Sequence, residues 1–162
     1  MANVILATFY VPGGNVIMSS TDGAAKMAKL LDLRRTQIEN MTPVYNRFGD
    51  YLVKFHIPYQ YEMQGRPYKW RKLSKKYAAY KKRVRPGAPI LVFNGTMRAG
   101  FGYEVRGQGD LWISNTQDYA RYHQTGTEKM PARKWLQLTD PDYDQLHKFA
   151  REHIMREYGA PQ

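Results

Sequence analysis

The chain has 162 residues, no cysteine, and 25 basic against 14 acidic residues, a formal net charge of +11. Without cysteine, disulfides, thiolate metal sites and cysteine nucleophiles are excluded, and no apolar run approaches the ~20 residues that a membrane-spanning helix needs. Hydrophobic residues make up 43%, which suits the core of one domain of ordinary size.

Residues Asn3–Val11 alternate as a strand, Pro12-Gly13-Gly14-Asn15 form a turn, and Val16–Ser19 return, so an N-terminal β-hairpin is expected over residues 1–20. Met1–Val11 is apolar but lacks the basic flank and cleavage site of a signal peptide. A soluble protein with no membrane partner is the expectation. Ser20-Thr21-Asp22 offers cap oxygens, and Met27, Leu30, Leu31 and Ile38 then recur at helical spacing, predicting a helix over 24–40. Thr42-Pro43 opens a second helix with Val44, Phe48, Tyr51, Leu52, Phe55 and Tyr59 on one face, and Pro58 should end or kink it near Ile57. After the loop Gly65-Arg66-Pro67, Ser74 caps a third helix that reaches Val84, before Arg85-Pro86-Gly87-Ala88-Pro89 breaks it. Short strands are expected at Ile90–Phe93, Tyr103–Val105, Leu111–Ile113 and Trp135–Leu138, with the turn Gly107-Gln108-Gly109 joining the middle two. One or two helical turns should lie within Asp118–Gln124. Asp140-Pro141 then starts a last helix that runs to about Tyr158, with Tyr143, Leu146, Phe149, Ala150 and His153 on one face and a frayed tail at 159–162. Segregated elements of this kind predict a small α+β domain. Its antiparallel or mixed sheet is packed by amphipathic helices, and the core spans 21–158 between the N-terminal hairpin and the C-terminal tail.

The charge is localised. From Met63 to Tyr103 there is no Asp or Glu but there are 11 Lys and Arg, while the remaining 14 basic residues balance 14 acidic ones. Arg71, Lys72, Lys75, Lys76, Lys81, Lys82, Arg83 and Arg85 form the candidate surface, which suits a polyanion or an acidic protein face. Tyr68, Trp70, Tyr77 and Tyr80 interleave with these charges. Two readings are open: aromatic side chains that stack on bases, or, as the spacing of Trp70, Leu73, Tyr77 and Tyr80 favours, a buried stripe with the cations as its solvated face.

Catalytic patterns are missing. His56, His123, His147 and His153 form no i, i+4 metal pair. Asp140, Asp142 and Asp144 lack the glycine and distal glutamate of a calcium loop and read as helix N-terminal acids. Gly100-Phe101-Gly102 lacks the context of a nucleotide fingerprint. Neither an enzymatic activity nor a cofactor is expected.

Four stretches carry a family resemblance. Trp70-Arg71-Lys72-Leu73-Ser74 with Tyr77 and Lys81, Ile90-Leu91 with Gly95-Thr96-Met97-Arg98, Tyr119-Ala120-Arg121-Tyr122-His123-Gln124-Thr125-Gly126, and Met130-Pro131-Ala132-Arg133-Lys134-Trp135-Leu136 stand in order across residues 45 to 158. Together they resemble the Mu-like phage virion morphogenesis family of tail-completion or neck proteins. Lys134 stands where that family usually has proline, and Gln137 where glycine is common. The resemblance implies a non-catalytic virion protein at the head–tail junction or top of the tail, assembled in the host cytoplasm. It implies a homo-oligomeric ring, six-fold by expectation, beside neck, tail-terminator or connector proteins and with possible non-specific contact to packaged DNA. Tyr119, Tyr122, His123, Arg133 and Trp135 then become candidates for anchoring a loop or an intersubunit contact, and for Arg133 two readings are open, bidentate pairing with a carboxylate or an exposed, solvated charge. The alternatives are a stand-alone basic nucleic-acid-binding protein, which salt-sensitive DNA binding by a monomer would reveal, and a phage enzyme, which needs a catalytic constellation the sequence does not display.

Overall fold

The computed structural model describes residues 21–107 and 109–155; the expected N-terminal hairpin and C-terminal tail lie outside them. In chain order the elements are α1 (Thr21–Glu39), α2 (Thr42–Tyr51), a π-helical segment (Leu52–His56), α3 (Ile57–Met63), α4 (Lys75–Val84), α5 (Thr96–Ala99), β1 (Phe101–Arg106), β2 (Asp110–Asn115), α6 (Ala120–Thr125) and α7 (Asp140–Ile154). The fold is a small α+β domain. Its sheet is one antiparallel hairpin in which Phe101 faces Asn115 and Arg106 faces Asp110.

Of the two outcomes expected at Pro58, an end or a kink near Ile57, the helix shows no full stop but a break in its α-helical register just before the proline. Proline has no N–H to offer, and its ring clashes with the carbonyl four residues earlier. The chain widens into a π segment just before it, where Ile57 N–H reaches back five residues to Leu52 O. This extra residue rotates the next helical turns. Val44, Phe48 and Leu52 face the core, but Phe55 is 65% exposed and Tyr59 43%, and their places are taken by His56, Ile57, Gln60 and Tyr61. Two polar side chains thereby enter the interior.

Ile57, Tyr61, Trp70, Met97, Ala120 and Trp135 form the core, with Ile90, Leu91, Phe101 and Ile113 packed against it. Its centre is aromatic. Tyr61 meets Trp70 edge-on at 5.4 Å between ring centroids, and Phe101 lies 4.6 Å from Trp135, within the range where ring pairs add to simple burial. Helix α2 crosses β1 at Gly49, where a Cβ would lie 2.3 Å from the Tyr103 ring.

Two expected strands are absent. Ile90–Phe93 is a turn: Val92 N–H donates to Pro89 O, Leu91 has φ +61°, and Ile90 N–H donates to Gln64 Oε1. Trp135–Leu138 pairs with no strand, and side chains take backbone bonds that a neighbouring strand would have made. Gln124 Oε1 accepts from Trp135 N and Leu136 N, its Nε2 donates to Leu136 O, and Gln60 Nε2 donates to Gln137 O. Helix α7 starts one residue earlier than expected, with Thr139 rather than Asp140 as its cap.

Candidate functional site

Helix α4 matches its expected span. Ser74 Oγ accepts from Tyr77 N–H at 3.3 Å, satisfying one orphan donor of the first turn. Its faces differ from expectation. Nine of its ten residues are exposed, among them Tyr77 (43%) and Tyr80 (45%), so these tyrosines form no buried stripe. Trp70 and Leu73, just before the helix, alone turn inward: Trp70 is buried and donates from Nε1 to Lys134 O at 2.8 Å, and Leu73 is half-buried. The buried member of α4 is Lys81, whose Nζ donates to Pro89 O at 2.6 Å. Burial lowers its pKa, and it leaves the solvent-facing set. Arg71, Lys72, Lys75, Lys76, Lys82, Arg83 and Arg85 remain exposed. Lys75 and Lys76 sit in the first turn, where the helix dipole favours anions, with no acidic residue beside them. The helix is therefore electrostatically incomplete on its own.

Between α4, residues 91–97, α6 and residues 129–133 lies a cleft of about 490 Å³. Arg133 closes its base. It is buried, and it donates from Nε to Arg71 O at 2.8 Å and from Nη2 to Lys72 O at 3.1 Å. In place of a carboxylate partner or open solvent it meets two backbone carbonyls, which tie the last motif stretch to the entry of α4. Burial, reinforced by the charge of Arg133, lowers the pKa of His123, whose Nδ1 is enclosed without a partner. Tyr119 Oη lies 3.2 Å from Thr96 Oγ1, and its ring meets His123 edge-on. Trp135 is buried and donates from Nε1 to Ala120 O at 2.9 Å, whereas Tyr122 is exposed and accepts from Arg121. Gly126 has φ +80°, and a Cβ there would lie 2.9 Å from Ala132 N.

A second constellation joins residues too far apart in sequence to form a motif. His56 Nδ1 pairs with Asp142 Oδ1 at 2.9 Å, Tyr51 Oη donates to the same oxygen at 2.8 Å, and Thr139 N and Oγ1 donate to Asp142 Oδ2. Burial pushes the Asp142 carboxyl up, but the bonds from Thr139, His56 and Tyr51 outweigh it and bring its pKa down to about 2. Burial and the bond to Asp142 push Tyr51 up to about 12. The His56 and Asp142 side chains are both fully enclosed, and the pair ties α7 to the π segment. No group of three His, Asp or Glu able to hold a metal occurs among the described residues. No helix among them is long and apolar enough to cross a membrane.

The four motif stretches come together around the cleft: Tyr77 and Lys81 from the first, Leu91 and Thr96 from the second, Tyr119 and His123 from the third, and Arg133 from the fourth all line it. The profile of the phage virion morphogenesis family matches residues 24–155. The chain belongs to this family. No curated protein and no solved structure matches it. The match begins within α1 and covers every motif stretch. The phage virion morphogenesis family is a structural one, and this member's role is in the assembly of a phage virion.

Proposed function

We propose that this member of the virion morphogenesis family is a non-catalytic, ring-forming subunit of the neck or tail top that helps to join head and tail. In this reading it acts in a six-fold ring beside neck, tail-terminator or connector proteins, and the exposed face of α4 turns toward packaged DNA or an acidic ring partner. The observation that carries the reading is α4 itself, a solvent-facing helix with cations in both its first and last turns and no acid to balance them. Ring closure repeats one head-to-tail contact and multiplies a modest basic patch into a strongly positive surface, so no subunit needs tight DNA binding of its own.

The test is charge reversal at Lys75, Lys76, Lys82 and Arg83, all exposed. Complementation of phage lacking the protein should then yield few infectious particles, although the purified variant keeps its helix content and melting temperature. Normal titres from a folded quadruple variant would remove α4 from the function. Salt-sensitive DNA binding by an isolated monomer, with no ring at any concentration, would favour the stand-alone nucleic-acid-binding reading.

A further inference from the structure

We propose that the cleft beside α4 receives residues 1–20 of a neighbouring copy of this chain, an inference that rests on the ring reading and names its repeating contact. The cleft offers apolar walls from Leu73, Tyr77, Leu91, Phe93 and Met130. Tyr77 and Phe93 keep 43% and 37% of their surface exposed, so apolar area there is left uncovered. The lining includes Lys81, Lys129 and Arg133 but no acidic residue. Lys81 and Arg133 each already donate to backbone carbonyls. The occupant that fits is apolar and carries no positive charge.

One long segment of this chain has that chemistry. Residues 1–20 contain no Lys, Arg, His, Asp or Glu, and Val4, Leu6, Phe9 and Val11 supply apolar side chains within an extended-type pattern. The fold argues for delivery to another copy. Helix α1 comes directly after the segment and is anchored at its C-terminal end against the end of α7, where Arg34 donates to Ile154 O and His153 Nε2 lies within hydrogen-bond distance of the carbonyls of Gln37 and Asn40. Its 19 residues span about 28 Å from that anchor. The cleft connects to α7 at the opposite end of that helix, through residues 134–139. Met27, Leu30 and Leu31 along α1 are exposed. Segment and cleft are two different patches on each subunit, as a head-to-tail contact that closes a ring requires.

The test uses the full chain and light scattering. Tyr77→Glu with Phe93→Glu blocks the cleft, and Leu6→Glu with Phe9→Glu alters the segment. Each double variant, alone, should need at least ~10-fold more protein for half-assembly, the cost of losing one well-packed contact. Mixed, the two should form a one-to-one pair that grows no further, because only one of the two possible contacts between them is intact. A wild-type ring with either variant assembling at the wild-type concentration would overturn the docking and spare the ring. A mixture that gives no pair would overturn it in favour of a segment held on its own subunit. Wild-type protein that stays monomeric would overturn the ring reading as well.

Discussion

Asp142 shows how far single residues can be read. Its place near the start of α7 is visible in the sequence and suggests a helix N-terminal acid, but its partners His56 and Tyr51 lie 86 and 91 residues away, a distance that no local pattern encodes. Its carboxyl is held at about 2, below its ordinary 3.8. The stabilisation is therefore complete above about pH 4 and is lost as the pH falls through about 2. Asp142→Asn should cost about 2 kcal/mol at neutral pH and flatten the acid limb of the stability curve, measured by urea titration between pH 2 and 7. An unchanged acid limb would show that the network does not hold α7. Arg133 was legible as important through its motif stretch, but not in its mode. Arg133→Ala should take this buried donor from the Arg71 and Lys72 carbonyls, at a cost of about 2 kcal/mol, and thermal melts would register it. Arg133→Lys should recover only part of this, since one ammonium cannot reproduce the two-armed fork.

At the scale of elements, starts and stops were the legible part. Ser74 and the break at Arg85–Pro89 bracket α4, and Thr42-Pro43 opens α2, because caps and prolines act within a few residues. Faces were less legible. The π segment before Pro58 turns the next face toward His56 and Gln60, and strict 3.6-residue counting cannot anticipate an inserted residue. The expected strands at 90–93 and 135–138 failed for a different reason: Gln64, Gln124 and Gln60 supply backbone partners from remote positions. Gly49 carries a packing constraint that composition does not reveal. Gly49→Ala places a methyl against Tyr103 and should destabilise by about 1–3 kcal/mol, although alanine is the better helix former. A stabilised variant in chemical denaturation would contradict so close a crossing of α2 and β1. Within α4, Lys81→Glu should loosen the helix from the Pro89 turn and lower the melting temperature, whereas Lys82→Glu, one position on and exposed, should leave it unchanged.

At the scale of the whole molecule, the family and the basic segment were both legible, because four spaced motifs and an acid-free run of 41 residues survive without knowledge of the fold. Their convergence was not. Only the folded chain brings the four stretches to one cleft beside α4, and only there does the exposure of Tyr77 and Tyr80 emerge. In the proposed ring, DNA or an acidic neighbour would balance the exposed basic face of α4. The most direct measurement is cryo-electron microscopy of the intact virion with this chain built into the map. The expected result is a ring of subunits at the head–tail junction or the top of the tail, with α4 facing the DNA channel or an acidic partner. Absence from the particle, or a ring in which α4 faces open solvent, would contradict it.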